Sequence, residues 1–348
     1  MSTQSPARTP DAKAGGGGAR DVIRFLLRFQ SAFGLVAVLL ISALASPVRD
    51  GRVVFLEPSN LLNIVRFASE NGIMAVGMTL VILTGGIDLS VGAVLALSGV
   101  GAAAFLMRYD QGVAVTVGAV LALGGLVGAL SGLVTTRLKV PSFITTLAVL
   151  SAARGAASLW SGGYAIPLAF GPDAAPPLFK SLFGGQLTLG TLAIPAPLFY
   201  FLGVGLIANA VLRRTVFGRY VYATGGNEAA TRLAGVNTDR IKVAVFAASG
   251  ALAALAALLH VALVNQGSHI DGGGYELNAI AAAVIGGTSL SGGVGTIGGT
   301  VIGALILSVL DNILGLRNVP SDYQLILKGV IIVLAVVLQR QRRPQGAA

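Results

Sequence analysis

Residues 112–136 read GVAVTVGAVLALGGLVGALSGLVTT and contain no charged side chain. A helix needs about 20 apolar residues to cross the hydrocarbon core of a bilayer, so this stretch is long enough to span a membrane. The whole chain has the same character, with 54% hydrophobic residues, 11% charged residues and a mean hydropathy of +0.82. Soluble domains have roughly 25% charged residues. The composition therefore predicts an all-α polytopic membrane protein.

Similar apolar runs on both sides of this stretch predict about ten transmembrane helices. The second and eighth runs are short and are candidates for re-entrant segments. The 48 glycines favour closely packed helices, because a glycine lets two backbones approach each other. The ten runs lie at about residues 31–47, 71–84, 89–107, 112–136, 142–160, 195–212, 243–264, 276–290, 296–315 and 323–338.

The N-terminal segment differs from this apolar body. Residues 1–20 are rich in Ser, Thr, Pro, Ala and Gly and have no apolar period, which predicts a disordered cytoplasmic tail. Residues 21–348 form the predicted transmembrane domain. Ala43-Leu44-Ala45 resembles a signal-peptidase site, and cleavage there would remove the first helix. The basic segment before the first apolar run is long for a signal peptide, which argues against cleavage.

Lysine and arginine residues predict the orientation of the helices. With ten crossings and the N-terminus in the cytoplasm, sixteen of the 24 Lys and Arg lie on cytoplasmic segments and five on outside segments. Cytoplasmic loops of membrane proteins carry an excess of these residues. Both termini are therefore expected in the cytoplasm, together with the loop at residues 213–242. The formal charge of +10 is explained in the same way and does not indicate nucleic acid as a partner.

A weak internal similarity suggests an inverted repeat. Gly85–Gly99 reads GGIDLSVGAVLALSG, and Gly273–Gly287 reads GGYELNAIAAAVIGG. Five predicted crossings separate the two copies, as an inverted-topology repeat requires. A second match, GGTSLSGG at Gly286–Gly293, would lie on the same side as the first copy and competes with this pairing. Chance similarity between glycine-rich segments is the alternative to a true repeat.

Several kinds of catalytic and binding site have no counterpart in the sequence. The chain has no cysteine, and its two histidines, His260 and His269, belong to no metal-binding pattern and are expected to be solvated or interfacial. Glycine-rich runs such as residues 286–299 lack the Gly-Lys-Ser/Thr ending of a phosphate loop, so the chain is not expected to bind ATP. With no nucleophile, metal set or cofactor motif, a transport role is favoured over an enzymatic one.

Polar residues at membrane depth are the candidates for a translocation path or gate, because ionisable groups in a bilayer tend to face a cavity. Asp88 and Ser90 also fit a simpler role as caps of the following helix. Glu276 would have the equivalent role in the second repeat copy. The candidate path residues are Asn71, Asp88, Ser90, Glu276 and Asn278.

Other polar residues in the apolar runs are expected to have structural roles. Arg66 and Glu70 are four residues apart and are predicted to pair with each other on a helix. Asp311 and Lys328 form a second candidate pair. Asn312 lines a polar path or makes a hydrogen bond between helices, which is at least as common a use of such a residue.

The stretch Val216–Lys242, VFGRYVYATGGNEAATRLAGVNTDRIK, carries polarity that the rest of the chain lacks. Thr224–Asn227 predicts a turn, after which Asn227 can cap a short helix at Glu228–Ala234. The Gly235-Val236-Asn237 sequence would end that helix. So short and charged a helix cannot cross the bilayer, and we expect it at the cytoplasmic surface, where a soluble partner moves it. A basic loop that only obeys the positive-inside rule is the simpler alternative, but it does not explain a capped helix.

Four motifs together resemble the membrane permeases of ribose-type monosaccharide ABC importers: GMTLVILTGGIDLSVGAVLALSG, VPSFITTLAVL, FGRYVYATGGNEAATRLAGV and GYELNAIAAAVIGGTSLSGG. The resemblance covers residues 60–338. It implies a permease of a bacterial inner membrane that pairs with a second copy or a close paralogue. It also implies a separate cytoplasmic ATPase, which holds the ATP, and an external sugar-binding protein. No cofactor is expected on this chain.

The resemblance also implies roles for individual residues. In such permeases the loop that matches residues 218–235 carries a coupling helix, which fits a cleft on the ATPase. Asn278 replaces an acid that many relatives carry, and residues 266–274 depart from the usual pattern, so the sugar stays open. The residues assigned to the coupling loop are Arg219, Gly225, Gly226, Asn227, Glu228 and Arg232.

Two alternatives accompany this interpretation. The first is an ABC permease for another small polar solute. The second is a self-sufficient ion-coupled carrier or channel, in which Asp88 or Glu276 would bind the driving ion. A carrier has no need for a capped cytoplasmic helix, so residues 213–242 favour the ATP-driven importer.

Overall fold

The computed structural model describes residues 30–168, 174–190 and 192–340. The predicted disordered tail at residues 1–20 lies outside the described residues. Within them are thirteen α-helices, a 3-10 turn at Val54–Leu56 and three two-stranded antiparallel sheets, which pair β1 with β2, β3 with β6 and β4 with β5. The helices are α1 (Gln30–Ala45), α2 (Pro58–Leu83), α3 (Val91–Met107), α4 (Val113–Arg137), α5 (Ser142–Ser161), α6 (Pro177–Phe183), α7 (Ala196–Arg214), α8 (Val216–Gly226), α9 (Glu228–Leu233), α10 (Thr238–Val264), α11 (Tyr275–Ile285), α12 (Ile297–Leu316) and α13 (Ser321–Arg340), and the strands are β1 (Val48–Arg49), β2 (Arg52–Val53), β3 (Ile166–Pro167), β4 (Gln186–Leu189), β5 (Leu192–Pro195) and β6 (Gln266–Gly267).

Each of the ten predicted apolar runs overlaps one of these helices. Six of the described helices are long and apolar enough to cross a membrane by length and composition, namely α2, α4, α5, α7, α10 and α12. Helices α1, α3 and α11 are apolar but shorter. The structure therefore agrees with an all-α polytopic membrane protein, while ten crossings and cytoplasmic termini stay predictions.

The two short apolar runs belong to very different helices. The run predicted at residues 71–84 is the second half of α2, which has 26 residues and begins at Pro58. Its first half contains Arg66 and Glu70, which lower the hydropathy and hide the full span, so the re-entrant interpretation of this run is wrong. Helix α11 has only 11 residues. Its length of about 16 Å at 1.5 Å per residue is half of a bilayer core.

Helices α2, α3 and α10 form the centre of the bundle, and α10 packs against α4, α2 and α3. Glycines spaced four residues apart on α4 make this packing close. A side chain at Gly128 would overlap the carbonyl oxygen of Phe246, and one at Gly250 would overlap that of Gly124. The expected close packing of helices through glycine is confirmed. Helices α4, α5 and α7 bury a smaller share of their residues than α2 and α10 do, which places them towards the outside of the bundle.

Helices α8 and α9 lie at one end of the bundle, which we call the α8–α9 end. Non-helical links at residues 84–90, 138–141 and 286–296 lie at the same end. The eight basic residues of the two described segments that the sequence assigned to the cytoplasm are gathered there: Arg137, Lys139, Arg213, Arg214, Arg219, Arg232, Arg240 and Lys242.

The opposite end carries the small sheets and the link from α10 to α11. Strand β3 pairs with β6, so the loop after α5 holds the start of this link. Side chains at Gly267 and Gly272 would overlap or crowd the carbonyl oxygens of Gly99 and Gly92, respectively. Because these two α3 residues are seven apart, about 10 Å along the helix, the link runs that far into the bundle before α11 begins. The predicted repeat copies lie against each other at Gly92 and Glu276, but their inverted relation stays a prediction.

Candidate functional site

The loop between α7 and α10 folds into two short helices. Thr215 caps α8, since its Oγ1 accepts a hydrogen bond from the backbone N–H of Gly218 at 3.2 Å. Asn227 caps α9, since its Oδ1 accepts a hydrogen bond from the N–H of Ala230 at 2.9 Å. Gly235 ends α9 with a φ of +84°, which glycine adopts without strain. The predicted helix, its cap and its end are therefore confirmed.

The turn predicted at Thr224–Asn227 is wrong. Helix α8 continues to Gly226, and the chain leaves the helical conformation only at Asn227, whose φ is −158°. The sequence favours a turn because two glycines precede an asparagine. In the fold, the Thr215 cap starts α8, and Val221 and Thr224 are buried against the bundle, so the helix extends through the glycines.

Four charged side chains brace α9 against the start of α10, and we call them the loop cluster: Glu228, Arg232, Asp239 and Lys242. Glu228 contacts Arg232 at 3.1 Å and Lys242 at 2.5 Å. Arg232 also contacts Asp239 at 2.5 Å. Partial burial raises the pKa of Glu228, but hydrogen bonds from Lys242 and Arg232 outweigh it, so this pKa lies below its ordinary value. Glu228 is therefore charged at neutral pH and holds α9 in place.

The exposed surface of α9 is largely apolar. Leu233 is 90% exposed and stands beside the exposed Ala229, Ala230 and Ala234. Arg219 is exposed on the neighbouring α8. Sequence reasoning emphasised the charged residues of the loop and missed Leu233. An apolar residue that interrupts a polar segment was the signal that could have found it.

Asp88 and Ser90 lie in the link between α2 and α3. The buried carboxylate of Asp88 accepts hydrogen bonds from the Ser90 backbone N–H at 3.0 Å, the Ser90 hydroxyl at 2.6 Å and the Ser249 hydroxyl at 2.9 Å. Asp88 thus accepts a backbone N–H next to the start of α3, as a capping residue would. The Ser90 hydroxyl donates to Asp88 and does not cap the helix.

Helix α5 holds the same link from its other side. The Ser142 hydroxyl accepts a hydrogen bond from the N–H of Ile87 at 3.1 Å, and the Thr146 hydroxyl accepts one from the N–H of Leu89 at 3.0 Å. Together with Asp88, these side chains satisfy backbone groups that the break between α2 and α3 leaves unpaired. The link is therefore an ordered non-helical segment inside the bundle.

Of the other path candidates, Ser90 is hydrogen-bonded to Asp88, and Glu276, Asn278 and Asn71 lie on other helices. Glu276 lies in the first turn of α11, and a side chain at Gly92 would come within 2.7 Å of its carboxylate, so Glu276 stands against the start of α3. Asn278 is half-buried on the same helix. Asn71 lies on α2 and donates a hydrogen bond to the carbonyl oxygen of Phe67 at 3.3 Å.

A second set of ionisable side chains lies between the helices, and we call it the buried cluster: Glu70, His260 and Asp271. Glu70 Oε1 and His260 Nδ1 are 2.8 Å apart, and His260 Nε2 is 3.6 Å from Asp271 Oδ2. The predicted pairing of Arg66 with Glu70 is wrong, because Glu70 faces α10, while Arg66 donates to Asn63 at 3.3 Å. His260 is buried, so its expected solvation is wrong too.

The buried cluster fixes the link from α10 to α11. Asp271 also accepts a hydrogen bond from the N–H of Ser268 at 2.9 Å, which closes the turn of this link. Arg154 of α5 donates to the carbonyl oxygens of His269 and Asp271, each at 2.5 Å. Two further predictions are confirmed elsewhere, because Asp311 pairs with Lys328 at 3.0 Å, and Asn312 exchanges hydrogen bonds with Asn60 at 2.7 and 3.0 Å.

A cavity of about 610 Å³ opens at the α8–α9 end. The loop cluster forms one wall, and residues 84–87 and 139–143, together with Thr135, Thr136 and Phe246, form the rest of the lining. The link that contains Asp88 therefore borders a space beside α9. A movement of α9 would change the shape of this space.

Comparison with known proteins identifies the family of this chain. The sequence profile of a family described as "Branched-chain amino acid transport system / permease component" matches residues 60–336. The chain belongs to this permease family. The ribose import permease protein RbsC of Escherichia coli strain K12 is 44% identical over 309 residues, which cover 89% of this chain and 93% of that protein. The structure matches no solved structure.

The chain is also similar to permeases that are named for other sugars. The L-arabinose ABC transporter permease protein AraH of Azospirillum brasilense is 34% identical over 348 residues, 100% of this chain and 98% of that protein. The xylose transport system permease protein XylH of Haemophilus influenzae strain Rd is 35% identical over 353 residues, 87% of this chain and 94% of that protein. The resemblance to ribose-type ABC permeases is therefore confirmed. The permease is a transport subunit, and its ATPase is a separate subunit.

Proposed function

We propose that this permease carries a pentose or a related monosaccharide across the bacterial inner membrane as part of an ATP-driven importer. The observation that carries the proposal is α9, a capped helix at the α8–α9 end, in a chain whose relatives are named for ribose, L-arabinose and xylose. In this proposal, residues 213–242 are the cytoplasmic coupling loop. A sugar-binding protein delivers the solute at the opposite end, where the small sheets lie.

The contacts of α9 divide the coupling residues into two groups. Asn227 and Glu228 face the loop itself, since one caps α9 and the other binds Lys242. Leu233 and Arg219 are exposed and form the surface that contacts the ATPase. The ATPase therefore binds an apolar helix face flanked by positive charge, which α9 presents while the loop cluster holds it in place.

The translocation path is assigned to the interface between this chain and a second permease copy. Asp88 and Ser90 shape the gate through the link that borders the cavity, and Glu276 and Asn278 contribute from the half-length α11. Asn71 contributes from α2. Discontinuous helices whose ends lie inside the bundle are typical of the substrate sites of membrane transporters.

Reconstitution tests the proposal. The permease, its cognate ATPase and its binding protein are placed in proteoliposomes, and ATP-dependent uptake of ribose, L-arabinose and xylose is measured. Glu228→Arg should abolish sugar-stimulated ATP hydrolysis, because it places a third positive charge beside Arg232 and Lys242, and their repulsion displaces α9 from the position that the ATPase engages. Arg240→Glu is the matched control, since it reverses an exposed charge of the same loop. Uptake by the permease without any ATPase would refute the importer.

A further inference from the structure

Three backbone segments meet at Gly225, the second-last residue of α8. The N–H of Gly293, in the link between α11 and α12, donates a hydrogen bond to the carbonyl oxygen of Leu83, the last residue of α2, at 3.0 Å. A Cβ at Gly225 would overlap that carbonyl oxygen and come within 2.6 Å of the Gly293 nitrogen. Gly225 therefore lies directly on a hydrogen bond that joins two other segments, and we call this contact the glycine junction.

The backbone of Gly226 also lies at the junction, within 2.8 Å of where a Cβ at Gly293 would stand, but on α8 only Gly225 has its own Cβ position blocked by the junction. The adjacent Gly226 has no atom within 4 Å of the position a Cβ would take. On the other side of the junction, a Cβ at Gly292 would come within 2.8 Å of the carbonyl oxygen of Gly225. The hydroxyl of Tyr222, one helical turn earlier on α8, donates to the carbonyl oxygen of Gly295 at 2.9 Å. Helix α8 is thus attached to the link between α11 and α12 at two points.

Two of the segments at the junction lead to non-helical links, and the third leads to α9. Leu83 is followed at once by residues 84–90, whose backbone is held by Asp88 and by α5. Gly293 belongs to the link that follows the half-length α11. In the third segment, Gly225 lies three residues before Glu228, the first residue of α9. The junction therefore connects the proposed coupling helix to two of the three non-helical links at this end, residues 84–90 and 286–296.

A contact between backbones transmits displacement differently from one between side chains. A side chain can change rotamer and absorb a movement, whereas close-packed backbone atoms cannot move past each other without separating the segments. Coupling between two sites requires an element whose arrangement both sites affect. The glycine junction has the geometry of such an element, because α9 and both links share it.

We infer that Gly225 is a positioning residue through which displacement of α9 by the ATPase reaches the two links that flank the translocation path. This inference rests on the proposed importer function. The loop cluster gives a second connection from α9 to α10, so loss of the junction reduces coupling without detaching α9. Any side chain at position 225 pushes α8 away from Leu83 and Gly293 and weakens the transmission.

The test compares two glycines at the same end of the bundle. Gly225→Ala inserts a methyl group into the junction, whereas Gly298→Ala places one in the first turn of α12, where no atom lies within 4 Å. Both variants are assembled with the ATPase and the sugar-loaded binding protein, and rates are normalised to assembled complex. We expect Gly225→Ala to lower the ratio of sugar-stimulated to unstimulated ATP hydrolysis about tenfold. Gly298→Ala should leave this ratio unchanged.

Two kinetic parameters, the maximal stimulated rate and the concentration of binding protein at half-maximal stimulation, distinguish a loss of coupling from a general structural defect. In Gly225→Ala the maximal stimulated rate should fall, while the concentration of binding protein at half-maximal stimulation stays constant, because the outer docking end is untouched. Tyr222→Phe removes only the hydrogen bond to Gly295 and should lower the same ratio about threefold. A normal ratio in Gly225→Ala overturns the inference. If Gly225→Ala does not assemble, a normal ratio in Tyr222→Phe overturns it.

The wild-type complex distinguishes failure of this inference from failure of the proposed function. Absence of stimulation in wild type with ribose, L-arabinose and xylose would reject the pentose importer itself. Stimulation in wild type together with equal ratios in Gly225→Ala and Gly298→Ala would reject only the role of the junction.

Discussion

The loop cluster and the buried cluster contain similar chemical groups in opposite surroundings. Glu228 and Arg232 of the loop cluster have side chains that are 36% and 53% exposed. The side chains of Glu70 and His260 in the buried cluster are 3% and 11% exposed. Water solvates the first set of charges whether or not they pair, whereas the second set depends on its partners. The same acid–base contact is therefore replaceable at the surface and indispensable inside the helices.

The difference has an energetic basis. An exposed ion pair contributes about 0–1 kcal/mol, because water competes for both charges. A charge left without its partner in a low-dielectric interior costs about 3–5 kcal/mol. The positions of the clusters match their tasks. The loop cluster holds a surface helix that a partner must move, and the buried cluster fixes a link that runs into the bundle.

The largest expected effect comes from Glu70→Leu. This change leaves His260 and Asp271 without the acid that binds Nδ1, so the free energy of unfolding in mixed micelles should fall by about 3 kcal/mol. Arg66→Leu is the control on the same helix, with an expected change below about 0.5 kcal/mol. The double variant Glu70→Leu/His260→Leu should recover part of the loss. Equal losses in Glu70→Leu and Arg66→Leu would contradict the importance of the buried cluster.

Leu233→Asp tests the outer surface near the loop cluster. It should weaken binding of the ATPase about tenfold, because an exposed apolar contact is replaced by a charge. Unfolding of the isolated permease should be unchanged, since Leu233 is 90% exposed and buries little apolar surface. Binding is measured by titrating the detergent-purified permease with the ATPase. Unchanged affinity would remove Leu233 from the proposed interface.

Asn227→Ala removes the cap of α9 and should destabilise this helix by about 1 kcal/mol. Amide hydrogen exchange of residues 228–233 should become about fivefold faster, since 1 kcal/mol corresponds to that ratio. Global unfolding should not change, in contrast to Glu70→Leu. Asn227→Asp keeps an accepting oxygen and should preserve protection, and fast exchange in this variant would show that the cap is not the cause.

The smallest effect is the coupling between Glu228 and Lys242. A double-mutant cycle with Glu228→Gln and Lys242→Met should give about 0.5 kcal/mol at pH 7. Glu228 has a lowered pKa in the folded protein, so its contribution is present above its ordinary pKa of 4.5 and is lost as pH falls through the lower value. The cycle repeated at decreasing pH checks this direction. A coupling energy that grows on acidification would contradict the ionised state of Glu228.

Local features were predictable from sequence because their causes are local. The Asn227 cap and the Gly235 stop depend on residues within one helical turn, so the short helix α9 was found. The turn at Thr224–Asn227 failed because burial of Val221 and Thr224 extends α8. The prediction that Arg66 pairs with Glu70 was wrong because Glu70 pairs with His260, which lies on another helix.

The sequence by itself determined that this is a membrane protein, where its apolar runs lie and which family of permeases it belongs to, since apolar length and contiguous motifs are properties of the chain alone. Only the tertiary structure decided which side chains meet. The partner of Glu70 lies 190 residues away, and Gly225 contacts Leu83 and Gly293 from distant parts of the chain. Helix spacing does not encode such contacts, because burial in three dimensions selects the partner that satisfies each polar group.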